Sequence, residues 1–193
     1  MRLMKKRIIT IAGVPGSGKS STADGVAREL EFARFSSGDF MRNIALEMGI
    51  SLNELGSMAE TNQEIDRKID EQVRNAGEKE NIVVDSRLAF HFIPDSFKVF
   101  LDLPLEISKV RVFNSLQNNK LRMESEGEAS IEKIYEKITA RLKNERKRYK
   151  NLYGIEDHTA KDSFDLVVDT NKNNLDQVVK IIVSEYKKWL EEN

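Results

Sequence analysis

The sequence predicts an α/β protein built on a doubly wound parallel sheet. Four short runs rich in β-branched and aromatic residues occupy positions 8–12, 82–85, 98–103 and 164–168, and long stretches with helical periodicity separate them. Short apolar runs of this kind are typical of buried parallel strands, which need helical crossovers to connect them. The alternation therefore favours one sheet with helices on both faces.

The stretches between the runs predict helices in chain order. Residues 19–30 follow the first run, and residues 40–49 and 52–76 predict two or three more helices. Together, residues 37–77 are expected to form a helical lobe beside the sheet. A later helix is indicated by apolar side chains at helical spacing, namely Ile131, Ile134, Ile138, Leu142 and Tyr149. Residues 175–190 repeat this periodicity and are expected to pack on the sheet.

One segment is too polar to bury much surface. Residues 114–130 read NSLQNNKLRMESEGEAS and contain few large apolar groups. We interpret residues 113–131 as a short mobile lid. The alternative is an ordinary solvated loop.

Length and charge limit the possible partners. A chain of 193 residues fits one domain, and its formal net charge of -1 provides no global field for a nucleic-acid backbone or an anionic membrane. We therefore expect a monomer that binds neither. The sequence has no cysteine, no apolar run as long as a signal peptide requires, and no run long enough to span a membrane. These features predict a cytoplasmic protein. His91 and His158 lack partners at metal-ligand spacing, so no zinc site is indicated.

The strongest chemical signal is a glycine-rich motif between the first predicted strand and the first predicted helix. Its residues match GxxxxGK[ST] and comprise Gly13, Val14, Pro15, Gly16, Ser17, Gly18, Lys19 and Ser20. Amide groups of such a loop surround phosphate oxygens, the lysine reaches the β- and γ-phosphates, and the hydroxyl of Ser20 is expected to bind magnesium. Ser21 extends the helix start and is expected near the α-phosphate. The alternative is a chance glycine-rich turn.

Other charged residues are candidates by position. Asp85 ends a predicted strand near the phosphate loop, which suits an outer-shell magnesium ligand, although aspartate is also common in turns. Arg42 and Arg87 are suited to bidentate contacts with an acceptor phosphate. Along the later helix, the spacing of Arg141, Glu145 and Arg148 lines them up along one edge. They predict a clamp on the transferring phosphates, with an exposed ion pair as the alternative.

Several segments in one order carry a family resemblance. They are IAGVPGSGKSS, SSGDFMR at 36–42, AETNQEIDRKIDEQ at 59–72, VVDSRLA at 83–89, LDLPLEI, RLKNERKRYKNLYGI and FDLVVDT. Together they resemble the cytidylate kinases, in particular the compact archaeal-type branch of the P-loop nucleoside monophosphate kinases. Many families share the phosphate loop. The acceptor motif, the arginine after the strand and the R-x-x-x-E-x-x-R-Y helix in one order are more specific.

The resemblance implies transfer of the γ-phosphoryl group of ATP to CMP or dCMP, with Mg²⁺. It implies that the monophosphate is held by Ser37, Asp39, Arg42 and Arg87, and that Arg141, Glu145 and Arg148 complete the site. Arg111 matches the arginine before the lid. Catalysis is expected from Lys19, Arg141, Arg148 and Asp85. The chain departs from the family pattern at Ser115, Ser86 and Leu142, where arginine, glycine and an acidic residue are usual. Two alternatives are a kinase for another small acceptor and a non-catalytic nucleotide-binding module.

Overall fold

The computed structural model describes residues 7–117 and 130–192, and its centre is a parallel five-stranded sheet. The strands are β1 (Ile8–Gly13), β2 (Ala33–Ser36), β3 (Ile82–Asp85), β4 (Phe97–Asp102) and β5 (Leu166–Asp169). They lie in the order β2-β3-β1-β4-β5, and every described pairing is parallel. The predicted doubly wound α/β architecture is confirmed.

Helices connect the strands and cover both faces of the sheet. They are α1 (Lys19–Leu30), α2 (Ser37–Glu47), α3 (Leu52–Thr61), α4 (Gln63–Ala76), α5 (Ala89–Phe92), α6 (Leu105–Gln117), α7 (Ile131–Tyr153) and α8 (Leu175–Glu192). A short 3₁₀ helix, Lys161–Ser163, precedes β5. None of the described helices is both long and apolar enough to cross a membrane.

Alternating side chains of the strands serve two separate cores. Ile9 and Ile11 of β1 pack with the buried faces of α1 and α8, where Tyr186 is almost fully buried. Ile8 of β1 and Val84 of β3 join a second cluster with α4 and α5 on the other face. Because successive side chains of a strand point to opposite faces, one short apolar run supports both layers.

The helical lobe has its own small core and clear capping signals. Ala45, Leu55, Ala59 and Ile65 of α2, α3 and α4 are buried together. Ser51 and Glu54 form a reciprocal capping box at the start of α3. The helices predicted at 40–49 and 52–76 are therefore present, as α2 followed by α3 and α4.

Some element boundaries differ from the prediction. β2 was not predicted, because Ala33–Ser36 lies at the sheet edge and lacks an apolar run. β4 begins at Phe97, one residue before its predicted start, and β5 begins at Leu166, two residues after its predicted start. Residues 113–117 of the predicted lid belong to α6, and Ile131 begins α7. Residues 118–129 lie outside the described part of the chain.

Candidate active site

The glycine-rich motif forms a tight loop between β1 and α1. Gly13, Gly16 and Gly18 have φ values of 155°, 74° and 85°, in the region that disfavours side chains. A Cβ at Gly13 would lie 2.7 Å from both the carbonyl oxygen of Leu101 and Oγ of Ser17. Any larger residue at Gly13 would therefore force the loop away from β4.

The side chain of Lys19 folds back over this loop. Its Nζ donates hydrogen bonds to the carbonyl oxygens of Gly13 at 2.8 Å and Val14 at 3.0 Å. Burial lowers the pKa of Lys19 to about 7, the positive charge of Arg87 acts in the same direction, and Asp85 opposes it. Outside the motif, the hydroxyl of Ser108 on α6 donates to the carbonyl oxygen of Pro15 at 2.6 Å. The loop is thus held from within and from α6.

Asp85 lies beside the start of α1, as its place at the end of β3 predicts. Its Oδ2 accepts a hydrogen bond from the hydroxyl of Ser20 at 3.0 Å. This hydroxyl and carboxylate supply the hard oxygen donors that magnesium prefers once phosphate oxygens are added. In the described ranges, no group of three or more histidine, cysteine or carboxylate side chains could hold a metal by itself. The donor set therefore fits a magnesium ion shared with phosphates.

Glu145 is the centre of a buried charge cluster. It is 4% exposed, and its two oxygens lie 3.1 Å from Nε of Arg87 and 2.9 Å from Nε of Arg141. Burial alone would raise the pKa of Glu145, but the two guanidinium groups hold it below its ordinary value. Nε2 of His158 lies 3.7 Å from Glu145, and burial lowers the pKa of this histidine although the charge of Glu145 opposes the shift. Glu145 thus fixes two arginines within electrostatic range of Lys19.

The predicted acceptor segment lies at the N-terminus of α2. The hydroxyl of Ser37 contacts the carbonyl oxygen of Asp85 at 3.4 Å. Asp39 is paired with Arg42 on the same helix and also with Arg34 at 3.1 Å. Arg34 was not predicted, because β2 itself went unrecognised. Ser37 therefore contacts Asp85 directly, whereas Asp39 is linked to Asp85 by Arg34, which pairs with both carboxylates.

Two predicted arginines have different neighbours. Arg148 pairs with Asp66 of α4 at 3.1 Å, and Asp66 is 6% exposed. Arg111 donates to the carbonyl oxygen of Thr170, just after β5, at 2.7 Å. Asp66 is not among the residues predicted from the sequence, since its partner is 82 positions away, although its segment, residues 59–72, carries part of the family resemblance.

A protein-family model and curated relatives match this sequence over most of its length. The model described as an AAA domain matches residues 12–127. The cytidylate kinase of Methanothrix thermoacetophila is 36% identical, and the match covers 86% of this chain and 89% of that protein. The cytidylate kinase of Methanocella arvoryzae is 35% identical, and the match covers 94% of this chain and 99% of that protein. The chain belongs to the cytidylate kinase family. Like other family members, this cytidylate kinase homologue is an ATP-dependent phosphotransferase of the P-loop nucleoside monophosphate kinase group.

One relative of this cytidylate kinase homologue is much longer. The S-adenosylmethionine-dependent nucleotide dehydratase of Lacinutrix mariniflava is 32% identical over 95% of this chain, yet the chain spans only 36% of that protein. Solved structures of lower identity share the fold. Shikimate kinase from Acinetobacter baumannii is 14% identical with a TM-score of 0.62, and the match covers 96% of this chain and 95% of that protein. A gluconokinase from Sinorhizobium meliloti is 16% identical with a TM-score of 0.58, and the match covers 99% of this chain and 97% of that protein.

One of the departures from the family pattern has a local explanation. The backbone amide of Ser86, a buried residue, donates to the carbonyl oxygen of Ile11 at 3.2 Å, but glycine would make the same bond, so nothing in the structure explains the serine. Leu142 packs on the cluster of Leu116, Ile134 and Ile138 between α6 and α7. An apolar side chain at position 142 of this cytidylate kinase homologue therefore supports helix packing.

Proposed function

We propose that this chain transfers the γ-phosphoryl group of ATP to CMP or dCMP in the presence of Mg²⁺, giving ADP and the nucleoside diphosphate. The observation that carries the proposal is the convergence of cations at one phosphate loop. Lys19 lies within the electrostatic influence of Arg87 and Arg141, and the carboxylates of Asp85 and Glu145 partly balance these charges. Three cations near one anion-binding loop suit a doubly charged group in transit.

Each side chain has a defined part in this proposal. The loop residues from Gly13 to Ser21 bind the ATP phosphates, with Lys19 on the β- and γ-phosphates. Ser37, Asp39, Arg42 and Arg87 hold the acceptor. Arg141 and Arg87, aligned by Glu145, face the transferring group. We assign Arg148, expected from the sequence to be catalytic, to the acceptor side because it is paired with Asp66 of the helical lobe.

The transfer needs no covalent intermediate on the protein. A phosphate oxygen of the acceptor forms a bond to the γ-phosphorus of ATP while the bond from that phosphorus to the β,γ-bridging oxygen breaks, and ADP leaves with the electron pair. Positioning and charge stabilisation supply most of the rate in reactions of this class. Magnesium held at Ser20, with Asp85 in its outer shell, would offset charge on the β- and γ-oxygens.

The assignment of CMP or dCMP as the acceptor is supported by membership of the family and not by an observed contact. Two relatives that match most of this chain are named cytidylate kinases. Several cations lie on the acceptor side of the phosphate loop. They are Arg87 and Arg141, which pair with Glu145, and Arg42, which pairs with Asp39. A module that only binds a nucleotide does not need them.

An acceptor panel tests the proposal. The protein is incubated with Mg-ATP and CMP, dCMP, UMP, AMP, GMP or shikimate, and the phosphorylated product is measured. CMP or dCMP should have the highest kcat/KM. A preference for AMP or shikimate would overturn CMP or dCMP as the acceptor. Binding of ATP without any transfer would favour a non-catalytic nucleotide-binding module.

A pair of lysine variants tests the phosphate loop. Lys19→Ala should lower kcat by about two or more orders of magnitude without unfolding, because it removes the cation aimed at the phosphates. Lys143→Ala changes an exposed lysine on α7 and should leave the rate within about twofold. Near-normal transfer by Lys19→Ala would refute the role of Lys19.

A further inference from the structure

Arg34 joins three carboxylates that belong to three different elements. From β2 its guanidinium lies 3.3 Å from Asp24 of α1, 3.1 Å from Asp39 of α2 and 3.4 Å from Asp85 of β3. Its side chain is 22% exposed, so most of the group is out of bulk water. None of the roles assigned above to the nucleotide or the acceptor uses Arg34.

The contact with Asp85 falls on an oxygen that already has other donors. Oδ2 of Asp85 accepts from the hydroxyls of Ser20 at 3.0 Å and Ser36 at 3.3 Å, and from Nη2 of Arg34 at 3.4 Å. A carboxylate oxygen offers about two lone-pair sites. Three donors therefore share two acceptor positions on this oxygen.

Asp85 is also the carboxylate that the proposed function places in the outer shell of magnesium. A metal-bound water that donates to Oδ2 of Asp85 must take the place of one of the donors now on that oxygen. The longest of the three contacts is that of Arg34, which retains Asp39 and Asp24 as partners when it leaves. The two serine hydroxyls make the shorter contacts.

We propose that Arg34 is a positioning residue that competes with the hydrated divalent cation for Asp85 and so raises the magnesium concentration at which the nucleotide site fills. This inference rests on the proposed magnesium nucleotide site. Two effects act together: Arg34 occupies an acceptor position on Oδ2 of Asp85 that a metal-bound water would otherwise use, and its positive charge opposes that of the cation. On metal binding, Arg34 stays with Asp39 at the acceptor segment.

Divalent-cation binding provides the test. With the protein in excess over ATP, so that nearly all the ATP is protein-bound, the dissociation constant of Mn²⁺ is measured by electron paramagnetic resonance, and the magnesium dependence of transfer is measured in parallel. Arg34→Met should lower the Mn²⁺ dissociation constant by about three- to tenfold, the size expected for removing a like charge at a hydrated site. The magnesium concentration for half-maximal rate should fall in proportion, with kcat at saturating magnesium within about twofold.

Matched variants separate this role from a structural one. Arg34→Lys keeps the positive charge. On a logarithmic scale, its magnesium concentration for half-maximal rate should lie at least halfway from the Arg34→Met value to the wild-type value. Arg28→Met removes an exposed arginine of α1 and should leave Mn²⁺ binding unchanged. An unchanged or raised Mn²⁺ dissociation constant in a folded Arg34→Met variant overturns the proposal. If the wild-type protein itself binds no Mn²⁺ with ATP, the proposed function fails first, and the two failures are thereby distinguished.

Discussion

Glu145 shows how a single side chain organises this site. A buried charge without a counter-charge is strongly destabilising, because the loss of hydration is not recovered. Glu145 lies between Arg87, which follows β3, and Arg141, one turn earlier on α7. One carboxylate therefore provides stability and also aims two cations at the phosphate loop.

Glu145→Gln should be costly for both reasons. The variant keeps the shape but leaves the largely buried Arg87 without its anion, whereas the half-exposed Arg141 can be hydrated, so the free energy of unfolding should fall by about 2 to 3 kcal/mol. Urea denaturation measures this loss. Glu156→Gln, which disrupts the exposed pair with Lys150, should change the same quantity by less than about 1 kcal/mol. Equal losses in the two variants would contradict the central position of Glu145.

Asp66 predicts a specific dependence of stability on pH. Burial raises its pKa from the ordinary 3.8 to about 6, although Arg148 opposes the shift and Asp70 and Glu145 support it. A raised pKa in the folded state means that Asp66 favours folding most below about pH 4, and that this contribution is lost as the pH rises through about 6.

Comparison with Asp66→Asn isolates that contribution. Between pH 4 and pH 7, the stability of the wild type relative to Asp66→Asn should fall by about 1 to 3 kcal/mol, since one unit of pKa shift corresponds to about 1.4 kcal/mol. The measurement is urea denaturation across the pH range. Asp95→Asn, at an exposed position, should follow the wild-type profile. A flat difference for Asp66→Asn would show that the carboxyl titrates normally.

Among the elements, α3 depends on the cap at its start. The hydroxyl of Ser51 accepts from the amide of Glu54 at 3.2 Å, and Oε2 of Glu54 accepts from the amide of Ser51 at 2.7 Å. Ser51→Ala removes one half of this capping box and should cost about 1 kcal/mol of unfolding free energy. Ser57→Ala, at an exposed position within α3, should change stability by less than about 0.5 kcal/mol. A cost below that limit for Ser51→Ala would mean that packing alone holds the helix start.

Predictability from sequence differs between kinds of element. The phosphate loop and strands such as β1 and β3 are predictable because glycine conformations and apolar runs are local properties. β2 is not predicted because an edge strand need not be apolar, and Arg34, which lies on β2, is therefore not predicted either. The pairing of Asp66 with Arg148 joins α4 to α7 and leaves no local signal. Local chemistry can thus be read from the chain, but partners across the fold need coordinates.

For the whole molecule, the sheet order decides where the site lies. β1 and β3 are neighbours, so Gly13 and Asp85 meet at the carboxyl edge of the sheet, and α2 begins at that same edge after β2. In parallel sheets, ligands bind at this edge. A ligand here contacts segments from distant parts of the chain, and its binding should therefore stabilise the fold as a unit.

Ligand-linked stability measures this coupling. Mg-ATP at about 100 times its dissociation constant should add about 2.7 kcal/mol to the free energy of unfolding, because it binds only the folded state. For a chain of 193 residues this corresponds to a rise in Tm of about 5 to 10 °C in a thermal melt. Lys19→Ala should melt near the wild-type Tm without ligand and show little of the rise, since its loop has lost the cation for the β- and γ-phosphates. An equal rise in Lys19→Ala would mean that ATP is held elsewhere, and no rise in the wild type would remove the nucleotide site from this edge of the sheet.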